Sequence, residues 1–299
     1  MNCTYTIGVN TIFAVCLWLF QITVLMAQNE VDETVIEEPV SAGESDEIRI
    51  KEIVDGKRFD PVIFRLSKGI SQYKDIFVTP ITWSEDFHDK DMEVIYQLSA
   101  KVRLFDMNLY FAYSQKSFWQ AFNSSDSSPL RETNYNPELF YRIPPGSGLL
   151  LDNLGLDAGV EHESNGRSLP LSRSWKRAYI TPFYMRENDL FYIKAWHRFS
   201  EDVKNSPLDP VGDDNPDIQD YYGYAEFHYV RLSRHMQRFH MMLRGNHNTN
   251  KGAASVTYDI PSGSKDMYYR FSLWNGYGES LVNYNRSITR IGIGVSFYR

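Results

Sequence analysis

The amino-acid sequence predicts an all-β fold, a transmembrane antiparallel β-barrel of about 12 strands. Three observations predict it: short segments of alternating apolar and polar residues, an aromatic content of 15%, and an apolar N-terminal leader. Barrel strands alternate between lipid and lumen, and aromatic side chains collect at the two membrane interfaces. A soluble β-sandwich also has short alternating strands, but the aromatic content and the leader favour the membrane barrel. The net charge of −7 argues against nucleic-acid binding, which depends on an excess of positive charge.

The N-terminal region predicts export. Residues 1–27 end in a long apolar run before Gln28 and are predicted to be a signal peptide. An uncleaved anchor helix is the alternative, because no Lys or Arg precedes the apolar run. Both cysteines, Cys3 and Cys16, lie in this segment, so the mature chain would have neither a disulfide nor a thiolate metal site. Residues 28–72 are predicted to be an acidic disordered linker and periplasmic N-terminal segment.

The barrel domain is predicted over residues 73–299, where alternating segments are separated by turn residues. In one of them, apolar Tyr96, Leu98 and Ala100 alternate with polar Gln97 and Ser99, as expected for lipid-facing and lumen-facing positions. The predicted strands are 76–83, 93–105, 108–119, 131–143, 149–163, 174–186, 190–199, 218–232, 237–247, 253–259, 267–274 and 287–298.

Two features outside this pattern resemble metal sites without meeting their requirements. Residues 205–217 are rich in Pro, Asp, Gly and Asn and predict a longer loop. Within that loop, residues 213–217 lack the Gly and distal Glu of a calcium-binding hand, so a solvated turn is predicted. His228 is predicted to face the lumen. The histidines near strand ends have no partner at metal-ligand spacing: His235, His240 and His247.

The segment around residue 160 contains a pair of side chains suited to nucleophilic catalysis. His162 and Ser164 are two positions apart, so in a strand they point to the same face, about 6–7 Å apart. A histidine beside a serine can accept the hydroxyl proton and so activate the oxygen. The pair predicts a base-activated nucleophile, but H-x-S alone is a weak signal.

A longer set of motifs surrounds this pair. The run H-E-S-N-G-R-S-x-P-x-S-R-S-W begins at His162, S-S-P-L-R-E-T-N-Y-N-P-E-L-F precedes it, and D-N-P-D-I and G-Y-G-E-S-L-V-N-Y-N follow it. In this order the motifs resemble the outer membrane phospholipase A family, from about residue 73 to the C-terminus. The resemblance implies a calcium-dependent barrel of the bacterial outer membrane. It also implies a homodimer that hydrolyses acyl esters of glycerophospholipids, with A1/A2 and lysophospholipase activity.

The resemblance also implies a role for each matching residue. His162 corresponds to the general base and Ser164 to the nucleophile. The ligands of a Ca²⁺ ion that stabilises the oxyanion correspond to the Arg167 carbonyl, the Ser172 hydroxyl and the Ser127 hydroxyl of the second protomer. Neutral oxygen ligands suit a hard cation, although a site without carboxylates implies modest affinity.

One further residue of the matching set is implied to lie between protomers. Gln115 corresponds to a polar residue at the lipid-buried dimer contact of the family. A side-chain amide surrounded by lipid needs hydrogen-bond partners, and a second protomer can supply them. The resemblance therefore places Gln115 in the dimer contact.

The sequence departs from the family at the third position of the catalytic triad. The family has an asparagine that accepts a hydrogen bond from the histidine, and Lys176 stands in its place. A protonated lysine has donors but no acceptor, and its charge opposes formation of an imidazolium. Glu161 and Glu163 flank His162, so alternation points them to the opposite face of the strand.

The lysine leaves more than one function open. The first hypothesis is an active phospholipase, and the alternative is a catalytically impaired or non-catalytic outer-membrane barrel. A third hypothesis is a narrow pore, but a barrel of this size is expected to fill its interior with polar side chains.

Overall fold

The computed structural model describes residues 61–67 and 69–298. The predicted signal peptide and the acidic stretch after it lie outside these residues. Short 3₁₀ helices span Val62–Phe64, Asp89–Asp91 and Ser124–Asp126. The α-helix and the strands, in chain order, are β1 (Ile70–Gln72), β2 (Ile76–Ser84), β3 (Val94–Leu104), β4 (Leu109–Trp119), β5 (Leu130–Ile143), β6 (Leu154–Ser164), β7 (Ser174–Arg186), β8 (Asp189–Arg198), α1 (Ile218–Tyr222), β9 (Ala225–Leu232), β10 (Arg238–Asn246), β11 (Lys251–Pro261), β12 (Met267–Tyr277) and β13 (Ser287–Phe297).

The strands form one closed antiparallel sheet. Neighbours in sequence are neighbours in space from β2 to β13, and β13 pairs with β2 to close the ring. β1 and β2 both pair with β3, at successive positions along it, so together they act as one interrupted strand. The predicted all-β barrel of about 12 strands is confirmed. In the described part of the chain, no helix is both long enough and apolar enough to cross a membrane.

The burial pattern follows the predicted alternation. In β3, Leu98 is 53% exposed, whereas its neighbour Ser99 is 4% exposed and Lys101 is 1% exposed. Apolar side chains therefore cover the outer wall, as in a barrel surrounded by lipid. The interior holds polar side chains together with buried aromatic clusters. Other large apolar side chains exposed on the wall include Phe111, Leu139, Val160, Ile180, Phe191, Ile193, Leu243, Phe271 and Ile293.

Ion pairs and aromatic rings fill the lumen. Glu138 accepts from Lys194 at 3.1 Å, and Arg142 donates to Asp157 at 2.6 Å with both side chains buried. Buried charges of opposite sign satisfy one another in this way. Cavities of about 330 Å³ and 260 Å³ remain inside. His228 faces this interior, as predicted, and its ring stacks on another aromatic ring at 4.2 Å. The interior packing favours a filled barrel over an open pore.

The barrel begins before the predicted boundary at residue 73. β1 adds to the sheet by pairing with β3. Just upstream, the Phe64 ring stacks on Phe183 at a centroid distance of 3.8 Å, and the Ile63 carbonyl accepts from Arg142 at 3.1 Å. Residues 61–67 and 69–72 thus belong to the barrel. The sequence missed this because a short interrupted strand has too few residues to show alternation.

The segment 218–232 also differs from its prediction as a single strand. It starts as helix α1, turns at Gly223 with a φ of +69°, and only then enters β9. An added Cβ on Gly223 would lie 2.2 Å from a main-chain oxygen, so glycine is required there. Ile218 and Tyr222, both buried, are four residues apart, which is a helical spacing. A single helical turn next to a strand is easily mistaken for a longer strand.

Candidate active site

β6 presents His162 and Ser164 on the outer face of the barrel wall. Alternation along the strand buries Asp157 and Glu161 inside and exposes Val160 outside. His162 and Ser164 follow Val160 by two and four positions, so they point to the same face of the strand, and both are half-buried. They lie at the end of the barrel where β6 enters the loop 165–173, which we call the site end. The two side chains therefore face the lipid side of the wall, close to one rim.

The two glutamates beside His162 point into the lumen. Glu161 accepts from Lys194 at 2.9 Å, and Glu163 accepts from Trp175 Nε1 at 3.0 Å and from Arg177 at 3.1 Å. These contacts hold both carboxylates on the opposite face from the imidazole. The predicted alternation is confirmed here, and neither glutamate can take the place of the asparagine.

The His162 ring is only partly held. Its Nδ1 atom is buried and makes no hydrogen bond of normal geometry with any described residue. The Trp175 main-chain carbonyl lies beside the ring but outside that geometry. In the β6–β7 pairing, His162 lies opposite Lys176, and Ser164 lies opposite Ser174. In a catalytic triad the third residue accepts a hydrogen bond from the histidine. Here Nδ1 of His162 has no such acceptor in normal geometry among the described residues.

The Asn165 side chain fixes the loop that follows. Its Oδ1 accepts from the main-chain N–H of Arg167 at 3.2 Å and of Arg173 at 2.9 Å, and its Nδ2 donates to the Leu171 carbonyl at 2.9 Å. Gly166 has a φ of +60°, where an added Cβ would meet an aromatic ring at 2.9 Å. One buried amide therefore organises the whole loop, and nothing in the sequence pattern pointed to this role.

This loop carries two of the predicted calcium ligands. The Arg167 carbonyl and the Ser172 hydroxyl both belong to it. Ser127 lies on the exposed loop between β4 and β5, also at the site end. Across the described residues, no group of three or more His, Cys, Asp and Glu side chains is placed to hold a metal. The loop offers main-chain and hydroxyl oxygens as metal ligands, and neutral oxygens of this kind fit a hard cation such as calcium.

A carboxylate lies next to this loop. The Ser172 hydroxyl donates to Asp214 Oδ2 at 2.6 Å, and Lys204 pairs with the other carboxylate oxygen. Asn215 Oδ1 accepts from the first main-chain N–H of β7 at 3.0 Å. The prediction of a solvated turn over residues 213–217 was therefore wrong, because this turn packs against the candidate site and places negative charge beside Ser172.

Gln115 faces outward on β4. Its Oε1 accepts from the Tyr113 hydroxyl at 3.2 Å, and its Nε2 lies 3.4 Å from the Ser117 hydroxyl. Ser117 in turn lies 3.0 Å from the hydroxyl of Thr133 on β5. A short polar strip therefore interrupts the apolar outer wall, and the Gln115 amide uses only long bonds to its own strand.

Comparison with known proteins agrees with this architecture. The family model described as Phospholipase A1 matches residues 62–297. The chain belongs to this family. Phospholipase A1 of Salmonella typhimurium is 37% identical over 232 residues, which cover 73% of each chain. The outer membrane phospholipase A of Escherichia coli has a TM-score of 0.66 and 32% identity, covering 77% of this chain and 98% of that one.

A second similar structure is a dimer. The Salmonella typhi outer membrane phospholipase with bound calcium has a TM-score of 0.67 and 30% identity, covering 79% of this chain and 96% of that one. The phospholipase A1 family assignment confirms the predicted resemblance, the enzyme class of carboxylic ester hydrolases and the outer-membrane location.

This phospholipase has an ion pair beside its candidate base. Lys176 Nζ lies 3.5 Å from Glu201 Oε1. Glu201 lies just beyond the end of β8, and nothing in the sequence motifs pointed to it. The position at which the resemblance implies a neutral asparagine is therefore occupied by a lysine with a carboxylate partner.

Proposed function

We propose that this phospholipase hydrolyses acyl ester bonds of glycerophospholipids and lysophospholipids, with Ser164 as nucleophile and His162 as general base. The observation that supports it most is the placement of both side chains on the lipid-facing wall, next to a braced loop that offers oxygen ligands. Calcium and a second copy of the chain complete the proposed site.

The reaction proceeds in two steps that return the protein to its starting state. The Ser164 hydroxyl oxygen attacks the ester carbonyl carbon while His162 accepts the hydroxyl proton. His162 gives that proton to the departing glycerol oxygen, which leaves an acyl group on Ser164. Water then attacks the acyl group, His162 accepts a proton from it, and the fatty acid leaves as Ser164 regains its proton.

The outer wall explains how a lipid reaches these groups. Val160 on β6 and Ile180 on β7 are exposed apolar residues on the same face, further from the site end. An acyl chain in the membrane can lie against this surface while its ester group is level with Ser164. A phospholipid need not leave the bilayer to enter a closed pocket, so the proposed substrate class suits the geometry.

The 165–173 loop would hold calcium through the Arg167 carbonyl and the Ser172 hydroxyl. When bound, the cation supplies the positive charge that stabilises the oxyanion of the tetrahedral intermediate. Because Ser172 donates its proton to Asp214, the lone pairs of its oxygen are free to face a cation. Ser127 of the second protomer would add a third oxygen, which makes the complete site dependent on the dimer.

The direct test is release of fatty acid from phospholipid in mixed detergent micelles with calcium. Purified folded barrel is expected to release fatty acid from diacyl phospholipid and from lysophospholipid. A folded barrel that releases none from either substrate would reject the proposal.

Gln115→Ala is expected to weaken the dimer about three- to tenfold. The amide has only long contacts within its own strand, so a partner protomer can offer better ones. Sedimentation equilibrium in detergent with calcium measures the change. Asn275→Ala is the matched control, since Asn275 is an exposed outward amide on β12 that donates to Thr289 at 2.8 Å. Equal dimer constants for wild type and Gln115→Ala would place the contact elsewhere.

The alternative function, an impaired or non-catalytic barrel, is favoured by Lys176 and is tested by Lys176→Asn. We expect a change in kcat/KM of less than about tenfold, because the lysine charge is already paired with Glu201. Micelle hydrolysis with calcium measures it. Loss of the third triad residue lowers the rate of such enzymes by about 100-fold or more. A gain in kcat/KM of that size in Lys176→Asn would therefore show that the natural protein is impaired.

A further inference from the structure

The Lys176–Glu201 pair lies on the same face of the wall as His162. Beyond the end of β8, the Phe199 N–H donates to the Lys176 carbonyl at 2.9 Å, so strand pairing continues past Arg198. Alternation from Phe199 places Glu201 on the outer face. Lys176 Nζ lies 3.5 Å from Glu201 Oε1, with side-chain exposures of 55% and 25%. His162, Lys176 and Glu201 therefore form a row across three neighbouring segments.

This row sets the charge around the imidazole. His162 lies directly opposite Lys176 in the β6–β7 register. During acylation His162 becomes an imidazolium, and an unpaired ammonium next to it would raise the energy of that state. A neutral asparagine creates no such penalty. A lysine at this position therefore needs a negative charge close by if the base is to work.

Glu201 is the carboxylate placed to supply that charge. The charged side chains with the largest effects on His162 are Lys176, Glu201 and Glu163. Glu163 already accepts hydrogen bonds from Trp175 and Arg177 on the lumen side. Glu201 Oε1 is shielded from solvent and makes no hydrogen bond to a described residue, and it faces the lysine. A partly shielded pair interacts more strongly than one in open water.

We propose that Glu201 is a positioning residue of this active site. Its carboxylate cancels the Lys176 charge and thereby stabilises the imidazolium that forms when Ser164 gives up its proton. The ion pair supplies electrostatically part of what a neutral orienting amide supplies through a hydrogen bond. The inference rests on the proposed roles of Ser164 and His162.

Glu201→Gln tests this role. We expect kcat/KM to fall about tenfold and the acid limb of its pH profile to move to lower pH, because the imidazolium has lost its compensating carboxylate. Glu201→Asp should recover part of the rate. Asp202→Asn is the matched control, since it removes the same charge from the neighbouring exposed residue and should leave the rate and profile unchanged.

The decisive measurement adds Lys176→Asn to Glu201→Gln. Once both charges are removed, kcat/KM should return to within about twofold of the wild-type value. A double variant that stays as slow as Glu201→Gln would make Glu201 merely structural and overturn the inference, and so would an unchanged rate in the single variant. Thermal unfolding of each barrel in detergent shows whether a loss comes from misfolding. If Ser164→Ala remained fully active, the proposed function itself would fail.

Discussion

Ser164→Ala is expected to lower phospholipid hydrolysis by about 10⁴-fold or more, because no other group in the proposed mechanism can form the acyl intermediate. The substitution removes one hydroxyl from a half-buried position at the end of β6, so folding of the barrel should not change. Initial rates of fatty acid release from mixed micelles with calcium measure the loss. His162→Ala should cause a loss of similar size, and the double variant should be little worse, because the two side chains act as one unit.

Ser168→Ala is the control for this prediction. Ser168 is an exposed serine of the loop that follows β6, and it has no proposed role. Its rate should equal that of the wild type. If Ser164→Ala and Ser168→Ala were equally active, the nucleophile would be a different residue. If all three proteins were inactive, the non-catalytic alternative would hold.

The strands were predictable where one physical rule sets the pattern. β7, for example, has the bounds that alternation predicted, because its residues face the outer wall and the packed interior in turn. The rule fails where the chain leaves the wall. Residues 218–222 pack against the interior as a helical turn, and their apolar residues carry no marker that separates them from the strand that follows.

The candidate site was predictable only in its local part. His162 and Ser164 share one strand, so their spacing alone places them on one face. Asp214 and Glu201 reach the same region from the loop after β8, and tertiary packing rather than sequence spacing brings them there. The sequence shows that Lys176 is an unusual residue for this position, but only the structure shows the carboxylate beside it.

Removal of calcium is expected to lower hydrolysis by at least about 100-fold, the scale of losing the main stabilising charge at an oxyanion. The 165–173 loop offers a main-chain carbonyl and a hydroxyl on a framework held by Asn165, and the proposed mechanism relies on the cation bound there to stabilise the oxyanion. Excess EDTA during the micelle assay should produce the loss, and added Ca²⁺ should restore the full rate.

The same assay distinguishes the loop from a nonspecific effect of calcium on the micelles. Ser172→Ala removes one proposed ligand and should raise the calcium concentration needed for half-maximal rate about tenfold, with the maximal rate less affected. EDTA presaturated with Ca²⁺ should have no effect on the wild type. If chelation left the wild-type rate unchanged, the oxyanion would have to be stabilised by groups of the protein itself.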